Sequence, residues 1–224
     1  MISPRCNGTV LATGCHISGV RTYIAPIGYN STSVTRPVIL SRGVEQGDQV
    51  VLLRPAGSED ARATEAIDDV EGLLQEIEPE VALTVEEIPR AFEHSVLACR
   101  DCIDAAAGKR VVSLGGGARD VLLPFTVAVL ARLETIDTVL FFSDLDGSVQ
   151  EWTLPRLTAT VSSSTQDTLA AVVAADETTL PELAEQLDAS KSTITRHIEE
   201  LVSNGAVDSW REGKVKHVQP TLTA

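Results

Sequence analysis

From Val20 to Leu157, short apolar runs rich in branched residues alternate with amphipathic stretches, and few folds accommodate that rhythm. Thr22 to Ile27, Gln49 to Leu53, Val81 to Val85, Arg110 to Leu114 and Thr138 to Phe142 read as strands. Ser33 to Arg42, Glu59 to Ile77, Pro89 to Ala107 and Arg119 to Glu134 read as the helices between them. Each strand–helix–strand step needs a crossover, which builds a mostly parallel sheet covered on both faces. Val149 to Leu154 pairs back on the fifth strand as a hairpin through Asp146-Gly147.

The chain is therefore α/β, and residues 20–157 are expected to form a Rossmann-like domain. Ligands of such sheets sit outside the carboxyl ends of the strands, where the strand order reverses. Two loops leave strand ends with fitting chemistry: Gly28-Tyr-Asn-Ser-Thr-Ser33, running into a helix that carries Arg36, and Gly115-Gly-Gly-Ala-Arg-Asp120. Glycines let the backbone approach an anion, helix N-termini point free N–H groups at it, and Arg36 or Arg119 adds a planar donor fork. A glycine-rich turn also forms wherever a strand bends sharply into a helix, so either loop alone has a purely structural explanation. The dinucleotide fingerprint is poorly met, because no third glycine follows Gly117 and the loop follows the fourth strand. No Gly-Lys-Ser/Thr follows either, so a triphosphatase P-loop is absent.

The C-terminal sixty residues have a different grammar. Thr179-Leu-Pro-Glu182 is a capping-box opening, after which Leu180, Leu183, Ala184 and Leu187 share one helical face. Asp188-Ala189-Ser190 makes a tight turn, and Ser190 caps a second helix with Ile194, Ile198, Leu201 and Val202 on its apolar side. Two short helices so joined are a helix-turn-helix. Asn204-Gly205 stops the second helix, and Ala206 to Trp210 and Lys214 to Val218 alternate as a hairpin wing around Arg211-Glu212-Gly213. Gln166 to Asp188 holds six acids and no base, whereas the residues from Ala189 onward hold five bases and four acids. Lys191, Ser192, Thr193, Thr195 and Arg196 are expected to enter a major groove, with Arg211, Lys214 and Lys216 on the wing near phosphates. The bland alternative is a winged helix that pairs only with protein.

At 224 residues and 43% hydrophobic, the chain can bury a proper core and suggests one to two domains. The expected division is a poorly ordered extension over 1–19, the Rossmann-like domain over 20–157, a linker over 158–164 and the winged helix over 165–224. Nothing in residues 1–19 resembles a signal peptide's apolar region, and no apolar run reaches eighteen residues, so a cytoplasmic protein without membrane association is expected. The net charge of -14 is unusual for a DNA binder. Either the acids form a partner-binding face, or the chain comes from a salt-loaded cell whose ions screen the repulsion.

Two motifs invite other chemistry. Cys99-Arg-Asp-Cys102 has redox or zinc spacing, but it lies late in its helical run, and zinc would require Cys6, Cys15 or His16 to fold back onto it. Buried or incidental thiols and no metal are the expectation. Asp144-Leu-Asp146 after an apolar strand looks like a haloacid dehalogenase-type phosphatase signature, yet only a hairpin and the winged helix follow it; Asp146-Gly147 as a hairpin turn is preferred.

Ile27-Gly28-Tyr29-Asn30 with Arg36, then Leu114-Gly-Gly-Gly-Ala-Arg119 before a helix, then a winged helix, make the chain similar to CRISPR-associated regulators with a CARF sensor domain. The C-terminal segment also resembles the winged helix-turn-helix domains of archaeal transcription regulators, and the acidic composition a halophile's proteins. The resemblance runs from Val20 to the C-terminus. It implies a homodimer with a pocket shared across its two-fold axis, a cyclic oligoadenylate effector (cyclic tetra-adenylate above all), and double-stranded DNA at CRISPR loci as partner. It implies no catalytic residue and no cofactor. Carried over by position, Gly28, Tyr29, Asn30, Ser31, Thr32 and Arg36 form the first ligand motif, and Gly115, Gly116, Gly117, Ala118, Arg119 and Asp120 the second. The chain departs from the pattern at Ser113 and Leu114, where the family often has Thr or Asn. Ligand binding would shift the spacing of the winged helices through the Leu157 to Ser164 connector. Two alternatives stay open, a ring nuclease that cleaves its effector and a regulator that senses another small anionic metabolite.

Overall fold

The computed structural model describes residues 19–57 and 60–224. The expected extension lies outside these but for Gly19, and Cys6, Cys15 and His16 lie outside them altogether. The first half runs β1 (Arg21–Pro26), α1 (Thr32–Ser41), β2 (Gln49–Pro55), α2 (Ala61–Ile77), β3 (Ala82–Ile88) and α3 (Phe92–Ala105). It continues through β4 (Lys109–Ser113), α4 (Arg119–Ala131), a 3-10 turn at Leu133–Thr135, β5 (Thr138–Phe142) and β6 (Val149–Glu151). The strands form one sheet in the order β3-β2-β1-β4-β5-β6. All neighbours are parallel except β6, which runs antiparallel to β5 with Phe142 opposite Val149.

Period-two side chains divide the core in two. Tyr23 and Ala25 of β1 face α1 and α2, packing with Val34, Val38, Val70 and Leu74. Ile24 of the same strand faces α3 and α4, packing with Ile103, Val121, Phe125 and Val129. Every residue of β1 is buried, as a central parallel strand requires. Coverage on both faces stops short of the β3 edge, where Ala82, Thr84, Val85, Glu86 and Glu87 are exposed. The two glutamates there put charge on an edge that would otherwise template pairing.

The second half holds α5 (Gln166–Ala175), β7 (Thr178–Thr179), α6 (Leu180–Gln186), α7 (Lys191–Ser203), β8 (Val207–Glu212) and β9 (Val215–Pro220). The capping box at Thr179 and Glu182 is complete, and the Thr193 amide donates to Ser190 Oγ at 3.2 Å, opening α7. Asp188 sits in the turn between the helices at φ +47°, a left-handed conformation that Asp tolerates better than most residues. Leu183, Ile194, Ile198, Leu201 and Val218 form a third core with Ala171 and Val172 of α5. Sequence reading passes over α5 because Ala170 to Ala175 is a plain apolar run without a clear period. Val202, expected on the apolar side of α7, is 39% exposed; it falls at the edge of the stripe centred on Ile194, Ile198 and Leu201. The wing is a three-stranded sheet in the order β7-β9-β8.

Residues 152–165 join the halves without helix or strand. Leu154 packs against the core under α3 and α4. From Arg156 on, the connector is fastened to the C-terminal half. Arg156 donates to the Ser203 carbonyl at 3.0 Å, its amide donates to Thr223 Oγ1 at 2.9 Å, and Asn204 Nδ2 donates to the Thr160 carbonyl at 3.1 Å. No helix among the described residues is long and apolar enough to cross a membrane.

Candidate functional site

The strand order reverses between β1 and β4, with β2 and β3 on one side and β5 and β6 on the other. The loops leaving β1 and β4 therefore share a crevice at the carboxyl edge of the sheet, between the starts of α1 and α4. A cavity of about 460 Å³ opens there. Its walls include Gly28, Tyr29, Asn30 and Ser33 on one side and Gly116, Gly117 and Ala118 on the other. Arg54 and Pro55 from the end of β2, Ala63 of α2 and Asp144 beyond β5 complete it.

The glycines are present because the loop after β4 passes too close to the end of β1 and the start of α1 to admit a side chain. A Cβ on Gly116 would lie 2.4 Å from Ser33 Oγ, and one on Gly117 only 2.5 Å from Pro26 Cβ and 2.8 Å from its carbonyl carbon. Gly117 also holds φ +97°, which an L side chain resists. Gly115 is buried beneath the crevice against Phe142, where a Cβ would meet the Phe142 amide nitrogen at 2.3 Å. It serves packing and does not line the cavity. Leu114 is likewise buried in the core under α3 and α4, so its departure from the expected polar type leaves the cavity wall unchanged.

The helix starts supply the polar frame. Asn30 Oδ1 accepts from the Thr32 amide at 3.0 Å, and Ser33 Oγ donates to the Asn30 carbonyl at 2.9 Å, which fixes the first loop as a turn. Ser31 Oγ donates to Asp69 Oδ2 at 3.2 Å. Ala118, the N-cap of α4, makes no side-chain cap; its carbonyl takes the Val121 and Leu122 amides, and no capping side chain meets the Arg119 and Asp120 amides before them. Of the twelve residues expected at the ligand, Gly28, Tyr29, Asn30, Gly116, Gly117 and Ala118 converge on the cavity. Ser31, Thr32, Arg36, Gly115, Arg119 and Asp120 are not among its lining residues in the single chain. Arg36 instead spans to the β5–β6 turn and donates to the Gly147 carbonyl at 2.9 Å.

Sequence reasoning missed Arg54, and it noticed Asp144 only as part of a phosphatase-like signature, although the ends of the second and fifth strands border a crevice of this kind by the same switch-point rule. It also missed the support behind Tyr29. That ring is 60% exposed, with the Arg62 guanidinium 4.1 Å from its centroid. Asp60, the N-cap of α2, accepts from the Arg62 amide at 3.0 Å. The Arg62 amide first, then the Tyr29 hydroxyl, hold its carboxyl below the usual range.

Asp146 accepts from the Ser148 amide at 2.9 Å and Gly147 donates to the Ser143 carbonyl at 2.8 Å, so Asp146-Gly147 is a hairpin turn. The Ser148 amide first, then its hydroxyl, lower the pKa of Asp146. Cys99 and Cys102 are free thiols of α3. Burial pushes Cys99 up to about 12, helped by Cys102, and Cys102 up to about 11, with Glu86 and Asp101 adding to it. Thiols so protonated are poor nucleophiles.

On the C-terminal half, Lys191, Ser192 and Arg196 are exposed on one side of α7. Thr193 and Thr195 are half-buried; Thr195 Oγ1 donates to the Lys191 carbonyl at 2.8 Å and Thr193 Oγ1 lies 2.9 Å from Ser190 Oγ. The wing places Arg211 opposite Lys216, with Lys214 at the exposed tip. His217 stacks on Trp210 at 5.5 Å between ring centroids, and its Nδ1 lies 3.1 Å from Glu177. His197 Nδ1 meets Thr168 Oγ1 at 2.8 Å, tying α7 to α5.

Residues 21–150 match the family model described as the Csa3 CRISPR-associated Rossmann-like domain, and residues 169–209 match a helix-turn-helix domain. No curated protein matches the chain. Among solved structures, the chain is similar to Can2 from Sulfobacillus thermosulfidooxidans in complex with cyclic tetra-adenylate, at 10% identity and a TM-score of 0.43 over 90% of this chain and 60% of that one. It is similar to Enterococcus italicus Csm6 bound to cyclic hexa-2'-fluoro-hexa-dAMP, at 10% identity and 0.45 over 83% of this chain and 49% of that one. Reduced HlyU from Vibrio cholerae N16961 shares 22% identity, with a TM-score of 0.27 over 30% of this chain and 70% of that one.

Proposed function

We infer that this chain, which belongs to the Csa3 CRISPR-associated Rossmann-like family through residues 21–150, is a DNA-binding regulator controlled by a cyclic oligoadenylate. The observation that carries the reading is one cavity at the strand-order reversal, set between two helix starts and walled by Arg54, in a chain that also holds a helix-turn-helix. A cavity of that build suits an anion whose phosphates meet backbone amides and whose sugar and base edges meet Asn30 and Ser33. Cyclic tetra-adenylate is the proposed effector, bound by both members of a homodimer. A two-fold symmetric ligand presents equivalent phosphates to equivalent loops of two subunits. The helix that opens at the cavity, α4, leaves Leu123 and Val127 exposed one turn apart, a fitting apolar stripe for the second subunit.

DNA is engaged by Lys191, Ser192 and Arg196 in the major groove, with Arg211, Lys214 and Lys216 against phosphates. Coupling passes through the connector, because Arg156 and Thr160 are bonded to the last turn of α7 while Leu154 belongs to the sensor core. An effector that binds the two arrangements of the subunits with different affinity shifts the separation of the two reading helices. Titration calorimetry with cyclic tetra-adenylate, followed by gel shifts on palindromic promoter DNA with and without it, tests the reading. Saturable binding by a dimer and a changed DNA affinity are expected. No binding heat, or equal DNA affinity in both states, overturns it. Recovery of the effector as linear product would make the protein a ring nuclease.

A further inference from the structure

We propose that Arg54 is the cation that meets the effector's phosphate, and that Glu87 is its resting counter-ion, displaced as the ligand arrives; this rests on the effector reading above. Arg54 is the one basic residue among the described lining of the cavity. Arg119 and Arg36, which the loop sequences suggest for this role, stand outside that lining. Arg54 ends β2, beside Glu87 in the parallel register with β3. One guanidinium nitrogen is 2.5 Å from Glu87 Oε1, while Nε is buried without a hydrogen-bond partner among the described residues. The fork is thus half used. Its donors are held at the cavity wall by a carboxylate that is itself half-exposed and able to take water in place of the arginine.

An arginine in this state is preorganised for a phosphate. The fork is planar and matches two phosphate oxygens at once, which a lysine ammonium does not. Its partner costs little to leave, because an exposed ion pair contributes little net stability. The Arg54 hydrogen bond, its charge and the Gly57 amide lower the pKa of Glu87, so the carboxylate stays charged near neutral pH and competes with the incoming phosphate. Removing that competitor is the signature that separates a ligand contact from a structural pair.

The test is titration calorimetry of cyclic tetra-adenylate with the full chain and the variants Arg54→Ala, Arg54→Lys, Glu87→Gln and Arg119→Ala. Arg54→Ala is expected to weaken binding by about 10- to 100-fold, the usual worth of a charge-assisted hydrogen bond. Arg54→Lys should recover only part of that, Arg119→Ala should lose less than Arg54→Ala, and Glu87→Gln should bind as tightly as wild type or more tightly. Thermal melts of each variant confirm that it is folded. Wild-type affinity in Arg54→Ala overturns the proposal and leaves the effector reading standing. Equal weakening in Arg54→Ala and Glu87→Gln makes the pair structural and also overturns it. No binding by wild type removes both.

Discussion

The two functional regions are built on opposite plans. The cavity is assembled from the exits of three parallel strands, β1, β2 and β4, and the turn beyond β5, segments separated by dozens of residues. Its shape depends on close approach, since Gly117 lies against the Pro26 backbone and Gly116 against the Ser33 side chain. The winged helix takes its exposed basic and polar side chains from one continuous helix and one hairpin. It depends on periodicity, with Ile194, Ile198 and Leu201 turned inward and Lys191, Ser192 and Arg196 outward. A site made by crossovers tolerates little change in its backbone and much in its rim; a site made by one helix does the reverse.

The sharpest way to break that contrast is to add one methyl group to each region at a left-handed glycine. Gly117→Ala places a Cβ on Pro26 at 2.5 Å in addition to the strain of φ +97°. Gly213→Ala, in the wing at φ +62°, meets nothing within 4 Å. The wing variant should cost about 1 kcal/mol, the conformational penalty alone. The cavity variant should cost several-fold more and abolish effector binding, because relief of the clash moves the loop that forms the wall. Chemical denaturation of both variants measures this, and equal losses would show that the loop crossing is slack.

How much was legible follows the same division. The sheet, its helices and the hairpin turn at Asp146-Gly147 are visible because each element carries its own period or turn residue. The capping box at Thr179 is visible for the same reason. Six residues of the cavity were also foreseeable, since glycines and a small polar turn mark a strand exit. Arg54 was not, because nothing local to it announces a site, and Asp144 stands out only through the phosphatase-like pattern; the strand order is what brings both to the crevice. The glycine signal was itself double in meaning: Gly115 answers to Phe142 and not to the cavity. In the winged helix the misplacement of Val202 is a matter of helical angle, and α5 hid in an apolar run too short to show a period.

A second prediction sharpens the contrast at the level of a single side chain. Arg196 lies exposed on the outer side of α7, and Arg196→Ala should weaken DNA binding about tenfold or more without changing the melting temperature or effector affinity. Gel shifts at two salt concentrations check it. An unchanged shift would mean that another side of the winged helix faces the DNA, or that its partner is a protein.

The smallest effect expected is at the start of α6. Thr179 Oγ1 accepts from the Glu182 amide at 3.4 Å, while Glu182 Oε2 accepts from the Thr179 amide and hydroxyl, each at 2.9 Å, and from Thr178 Oγ1 at 3.2 Å. Thr179→Ala should cost the C-terminal half about 1 kcal/mol at pH 7, the usual worth of an N-cap hydroxyl, and leave the effector cavity untouched. The cost should depend on pH in a defined sense. The Thr179 hydroxyl first, then the Thr179 amide and the Thr178 hydroxyl, lower the pKa of Glu182 from its ordinary 4.5. A carboxylate with a lowered folded-state value contributes stability above its unfolded value and loses it as pH falls through the folded one. The difference in melting temperature between wild type and Thr179→Ala should therefore shrink as the solution is acidified below pH 4.5, and a difference constant with pH would mean that the two halves of the capping box act independently.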